Sequence, residues 1–283
     1  MGPKERQYME SLELKAIANE MRKDIIRMLE AAGSGHPGGS LSCIDMLTSL
    51  YFGGVLRHDP ADPKRADRDY FILSKGHAAP ALYATLAHAG YFPVEELMTL
   101  RKLGTRLQGH PDSSLVPGVE VGTGSLGQGL SISAGLAAGI RLRGTDQVVF
   151  TILGDGECQE GQIWEAATFA AHQKLDNLVA IVDGNGLQID GATTDVCQVG
   201  DLGDKFAAFG WDVHRIDGHD IDAMTDLFNA LKADRGGKPH AVVANTVKGK
   251  GVSFMENQAG WHGKAPDAAQ AAQALAELEE GGR

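Results

Sequence analysis

A chain of 283 residues, 43% hydrophobic and 22% charged, is long enough to bury a sizeable core and has a globular balance. Its 37 acidic side chains outnumber 26 basic ones, a formal charge of −11, which excludes a general nucleic-acid binder because those present a basic face. No apolar run of ~18 residues reads as a membrane span, and the opening MGPKERQYMESLELK holds no apolar leader, so the cytoplasm is the expected compartment.

Apolar residues recur at helical spacing over residues 11–32, from Leu12 through Ile25 and Ile26 to Leu29, and GSGHPGGS closes that helix. Residues 41–51 predict a second helix, 70–73 a short strand and 77–89 a third helix. Residues 126–142, rich in small side chains, predict a fourth. VVFTIL at 148–153 and LVAIV at 178–182 are uninterrupted apolar strands, and residues 161–174 between them are helical. Fully apolar strands around a helix indicate a βαβ unit of a parallel sheet. A weaker repeat follows, with strands at 211–216 and 241–247 and a helix at 221–233. The fold class expected is α/β, a doubly wound, mainly parallel sheet flanked by helices. Beyond Lys264 the chain is rich in Ala, Gln and Glu and predicts a polar helix with a frayed end. Cys43, Cys158 and Cys197 are odd in number and lack CxxC spacing, which predicts reduced thiols.

The 37 glycines, roughly twice the usual share of ~7%, cluster in short loops, as backbone pressed close to ligands requires. The first apolar strand runs into Gly154-Asp155-Gly156-Glu157, and the second into Asp183-Gly184-Asn185-Gly186-Leu187. A right-handed crossover puts both strand ends on one edge of the sheet, where ligands of such sheets bind. Asp155, Asn185 and one backbone carbonyl then offer three hard oxygens to a cation such as Mg²⁺, which keeps phosphate as a co-ligand. Gly and Asp also occur in strand-to-helix turns for geometry alone, and it is the pairing of the two tips that favours the ligand reading. His36, His77, His110 and His262 all sit in glycine-flanked loops or helix starts, where imidazole can donate to phosphate or shuttle a proton. The other six histidines lack that setting and read as structural or surface residues.

Gly122, Gly124 and Gly127 match the dinucleotide pattern G-x-G-x-x-G. Pro117 and Gly118 break the strand that this fingerprint needs before it, so the stretch reads as a glycine turn opening a packed helix, or as a loop touching a flat ligand. Glu160 and Glu165 open the helix after GDG, where the helix dipole favours acids; Glu160 could equally relay protons. Lys248 and Lys250 follow the last strand and read as a solvated loop.

GHPGGS, SKGHA, QGHPD, TGSLGQG, GDGECQEG, DGNGLQIDG and GWHGKAP, in this order over residues 12–266, resemble the successive motifs of the transketolase family. The resemblance implies a thiamine-diphosphate-binding fold, one diphosphate-binding domain over residues 1–283 with a helical start and a polar tail. It implies thiamine diphosphate with Mg²⁺ (or Ca²⁺ or Mn²⁺) as cofactors, the metal held by Asp155, Asn185 and the Leu187 carbonyl. Gly156, His77 and His262 would contact the diphosphate, Gly124, Leu126 and Ile189 would border the rings, and Glu160 would join an acidic link between two cofactor sites. His36, His77, His110 and His262 would line the substrate channel. The implied activity is two-carbon ketol transfer from a ketose phosphate to an aldose, as in the pentose phosphate pathway. Full-length transketolases are more than twice as long, so the chain resembles the N-terminal subunit of a split transketolase. Its implied partner is a subunit carrying the pyrimidine-binding and C-terminal domains, in an α2β2 heterotetramer. Ser125 stands where many members have proline, and the 248–251 loop departs from the commonest form. Both keep a sulfo-sugar, branched-sugar or deoxyxylulose-type relative, and a non-catalytic cofactor-binding module, as alternatives.

Overall fold

The structure, a computed structural model, describes residues 11–281. The opening ten residues, most of the stretch read as lacking a leader, and the last two, expected to fray, lie outside them. Nine α-helices and seven strands are described: α1 (Ser11–Ala32), α2 (Pro37–Phe52), β1 (Tyr70–Leu73), α3 (Ala79–His88), α4 (Gln128–Arg143), β2 (Val149–Gly154), α5 (Gly161–His172), β3 (Leu178–Gly184), β4 (Leu187–Gln188), β5 (Gly191–Ala192), α6 (Thr193–Cys197), α7 (Leu202–Ala208), β6 (Asp212–Asp217), α8 (Ile221–Ala233), β7 (His240–Asn245) and α9 (Ala268–Gly281). Five strands form one sheet in the order β1-β2-β3-β7-β6, every pair parallel. β4 and β5 pair separately as a short antiparallel ribbon.

Side chains alternate across the strands, so the apolar runs serve two layers at once. Phe150, Ile152, Val179, Ile181 and Val242 pack with α1, α2, α3 and α8. Val149, Leu153, Leu178, Ala180 and Ala241 pack with α4, α5 and Phe206 of α7. The doubly wound expectation therefore holds, with every main-sheet strand pair parallel.

Two boundaries and one polarity expectation changed for identifiable reasons. α2 begins four residues before its first leucine, because Pro37 occupies the first turn, where its fixed φ and missing N–H cost nothing. Its next residue must stay small: a Cβ on Gly38 would lie 3.0 Å from both the Lys248 side chain and the Trp261 carbonyl. β7 ends at Asn245, freeing residues 246–248 to turn over the sheet edge. The C-terminal helix α9 is not uniformly polar, since Ala271, Ala274 and Leu278 are buried in the core shared with α1.

Candidate functional site

Four parallel strands deliver their following residues to one edge: Ser74 and Lys75 after β1, Asp155 after β2, Asn185 after β3, and Lys248 beyond β7. Asp155 reaches across to the neighbouring tip. Its Oδ1 accepts from Gly156 N–H at 2.8 Å and its Oδ2 from Gly186 N–H at 2.5 Å. Asn185 Oδ1 accepts from Leu187 N–H at 3.1 Å, while its Nδ2 donates to Asp183 at 3.1 Å. Asp155, Asn185 and Leu187 line a single cavity of about 190 Å³ with Gly156, His77 and His262. Burial, and then the neighbouring Asp183 charge, push the Asp155 carboxyl up to about 6. Two acids crowded into a dry edge call for a cation.

The structure supplies part of that charge from residues the sequence reading set aside. Lys248, expected in a solvated loop, is 2% exposed, a correction that follows from its burial against Gly38 and α2. Its Nζ donates to the Leu187 carbonyl at 3.0 Å and meets His262 Nδ1 at 2.8 Å. Burial, then the Lys75 charge, lower its pKa to about 8. Lys75 is 1% exposed and donates to Asp183 at 2.5 Å and to the Gly39 carbonyl at 2.8 Å. Burial works against both charges of this pair, yet each partner holds the other ionised: Asp183 stays below and Lys75 above its ordinary range. Ser42, Thr246 and Asn185 complete the shell of the fully buried Asp183. Glu157, also unassigned from sequence, accepts from Ser74 Oγ at 2.5 Å and from the Gly127 and Gly154 N–H groups at 2.9 Å each. It fixes the turn before α4 to the β2 tip.

Three of the four singled-out histidines converge. Ring centroids lie 5.3 Å apart for His36 and His77, 5.6 Å for His36 and His262, and 5.0 Å for His77 and His262. Burial, reinforced by nearby cations, lowers them to about 4, 2 and 3 for His36, His77 and His262, so all three are neutral imidazoles near pH 7. His36 Nδ1 is buried without a hydrogen-bond partner among the described residues. His110 stands apart on an exposed loop, lining a separate open depression with Thr123 and Ser125. Gly124 has φ of 147°, and a Cβ there would meet the His110 ring at 3.0 Å, so glycine serves both backbone and neighbour. The G-x-G-x-x-G stretch has no strand before it, since β1 ends at Leu73. Leu126, Glu160 and Ile189 ring the cavity mouth, all exposed, Ile189 by 68%.

Residues 14–279 match the family described as transketolase, thiamine diphosphate binding domain. The chain belongs to the transketolase family. Similar relatives include the 6-deoxy-6-sulfo-D-fructose transketolase subunit SqwG of Clostridium sp. (strain MSTE9), 43% identical over 273 residues, covering 96% of this chain and 98% of that one. An apulose-4-phosphate transketolase subunit from Actinobacillus succinogenes is 43% identical over 280 residues, covering 99% and 100%. The crystal structure of transketolase from Campylobacter jejuni superposes with a TM-score of 0.89 at 31% identity, over 96% of this chain and 43% of that one. The chain thus spans less than half of a full-length transketolase and nearly all of the two subunit-sized relatives.

Within this transketolase domain, the signal that could have found Lys75 and Lys248 was their position. Both follow a strand at the carboxyl edge, where a lysine is seldom idle. Nothing in the local sequence marks Lys75 as the partner of Asp183, which lies 108 residues away.

Proposed function

We propose that this chain is the diphosphate-binding subunit of a two-chain transketolase, a single domain over residues 1–283 that transfers a two-carbon ketol group between sugars in the cytoplasm. The observation that carries the reading is the gathering of Asp155, Asn185 and the Leu187 carbonyl around one cavity that two neutral histidines, His77 and His262, also line, with His36 packed against both. The donor set is all oxygen, which fits Mg²⁺, Ca²⁺ or Mn²⁺ better than a softer ion. The raised Asp155 carboxyl and the Lys248 ammonium on the Leu187 carbonyl both mark this point as one that holds positive charge. Gly156 lines the cavity with its N–H held by Asp155 Oδ1 at 2.8 Å, and the absence of a side chain there lets a diphosphate come close to the backbone. The residues therefore fit a metal–diphosphate group.

Bound thiamine diphosphate supplies an electron sink for the two-carbon fragment. The chain's own residues supply position and charge. Asp155, Asn185 and Leu187 would hold the metal, while Gly156, His77, His262 and the cations Lys75 and Lys248 would face the diphosphate. Gly124, Leu126 and Ile189 would cover the rings, and Glu160 would face a second copy of the site. His36, His77 and His262, kept neutral by burial, can each donate through one ring nitrogen and accept through the other. They would bond substrate hydroxyls and move protons there, with His110 further out along the channel. The partner would be a C-terminal subunit carrying the pyrimidine-binding and C-terminal domains, in an α2β2 assembly. Two relatives of matching length are themselves named as subunits, which supports this arrangement. Their names turn the choice of sugar toward sulfo-sugars and branched sugar phosphates beside the pentose phosphates.

The test is reconstitution. The purified chain, alone and mixed with its partner subunit, is assayed with thiamine diphosphate and Mg²⁺ against ketose donors that include a sulfo-fructose, an apulose phosphate and xylulose phosphate. Turnover is expected from the pair only. Robust turnover by the isolated chain would overturn the two-chain reading, and cofactor binding by the pair without turnover of any donor would overturn the catalytic one.

A further inference from the structure

The opposite, amino-terminal edge of the same sheet carries a second cluster. Asp212 and His214 stand two residues apart on β6 and so share a face. His240 opens β7 directly across from Asp212, on that same face. Asp212 Oδ2 lies 3.0 Å from His214 Nε2 and 3.4 Å from His240 Nδ1, and ligand atoms of all three residues lie within 4.8 Å of one another. No other such group of His, Cys, Asp or Glu is found among the described residues.

His240 is the informative member. It is 1% exposed, and among the described residues neither ring nitrogen has a hydrogen-bond partner. A neutral imidazole carries one N–H donor and one acceptor, and burying them unpaired carries the full desolvation penalty of both. The adjacent carboxylates do not remove that cost. Asp212 at 3.4 Å is beyond the usual N–H···O range of about 2.7–3.2 Å, and Asp234 Oδ2 is 3.9 Å from Nε2. A metal bond would remove it. Ligand bonds of about 2.0–2.2 Å in a tetrahedron put neighbouring donor atoms about 3.4 Å apart, close to the two spacings observed.

We propose that Asp212, His214 and His240 form a second metal site, distinct from the cofactor cavity, that takes a zinc-class divalent ion and ties the edge strand β6 to β7. Two imidazoles and one carboxylate suit Zn²⁺ and its neighbours Co²⁺ and Ni²⁺, and disfavour Mg²⁺, which wants oxygen. The side chains of His214 and Asp212 are 30% and 45% exposed, which leaves an entry path and a fourth position for water. Asp234 stands toward the remaining nitrogen of His240, where a carboxylate steadies a ligating imidazole, and its Oδ1 is itself fixed by Gly236 N–H at 2.8 Å.

The experiment uses the full chain without a polyhistidine tag, stripped with chelator and titrated with Co²⁺ in excess Mg²⁺, followed by visible absorption. One equivalent of Co²⁺ is expected to bind, displaced by Zn²⁺, and Zn²⁺ is expected to raise the Tm. His214→Ala and Asp212→Asn, both at partly exposed positions where the fold survives, should each weaken binding at least tenfold and abolish the Tm shift. Asp155→Ala and His262→Ala should leave Co²⁺ binding unchanged. Absence of saturable binding below millimolar Co²⁺ would overturn the proposal. So would binding that is indifferent to His214→Ala and Asp212→Asn, or lost in His262→Ala, which would move the ion to the cofactor cavity.

Discussion

The two edges of one sheet handle buried polarity in opposite ways. At the carboxyl edge, Asp183 is fully buried but satisfied by Lys75, Ser42, Thr246 and Asn185, and Glu157 by one hydroxyl and two amides. At the amino edge, His240 is nearly as buried, and among the described residues neither of its ring nitrogens makes a hydrogen bond, the nearest carboxylates standing 3.4 and 3.9 Å away. The first arrangement is preorganised: its charges are fixed before any ligand arrives, so binding need not reorganise them. The second leaves a deficit that a single small ion can fill. Both edges grow from the same parallel strands, so the difference lies in which side chains the strand ends carry.

Removing Lys75 should break the comparison most severely. Lys75→Met keeps the volume of the stem but leaves Asp183 as a buried, uncompensated charge, and losing one partner of such a pair costs about 3–5 kcal/mol. Urea unfolding should therefore show a large loss of stability, with cofactor binding lost alongside it. A Lys75→Met chain as stable as the parent would mean that the carboxyl edge is not self-compensated. Asp155→Ala should do the reverse, at lower cost to the fold. This carboxylate is disfavoured where it stands, raised by burial and by Asp183, so its removal should leave the circular dichroism spectrum and Tm nearly unchanged. Contacts to charged groups are worth about 1.5–3 kcal/mol, so Mg²⁺-dependent binding of thiamine diphosphate to the reconstituted pair should weaken about 10- to 100-fold. Calorimetry reads this directly, and undiminished affinity would remove Asp155 from the metal assignment.

The division of labour also explains what could be read from sequence. VVFTIL and LVAIV declared parallel strands because they are buried on both faces, and Gly and Asp or Asn at their ends declared the turn chemistry. Asp155, Asn185 and Leu187 were legible because the topology of a βαβ unit puts successive strand tips side by side. Lys248 was misread because a lysine beside glycines is usually solvated, and only the packing of Gly38 beneath it, 210 residues earlier, reveals the burial. His240 looked structural for a similar reason: its position opposite Asp212 depends on the β6–β7 register, which no local pattern encodes. The start of α2 was missed because Pro-Gly-Gly resembles a helix stop, whereas here proline opens the helix.

The mildest test concerns protons. His36, His77, His262 and His240 are all held below the ordinary imidazole value, in each case chiefly by burial. In the unfolded chain they return to about 6.5. Below that pH the unfolded state binds more protons than the folded one, so stability rises with pH across the interval. The contribution is complete above about pH 6.5 and is lost as pH falls toward about 4, where His36 itself protonates in the folded chain. Denaturant unfolding at pH 7.5, 6 and 5 should show this decline, opposed in part by Asp155 and Glu157, whose carboxyls burial raises so that the folded chain takes up protons there. His36→Gln isolates the histidine part, since it keeps a neutral hydrogen-bonding group but takes up no proton on unfolding. Its stability should fall less steeply between pH 6 and 5, by up to about one proton's worth of slope. An unchanged slope would mean that His36 is already charged in the folded chain, and a charged His36 could not serve as the neutral donor–acceptor placed beside His77 and His262.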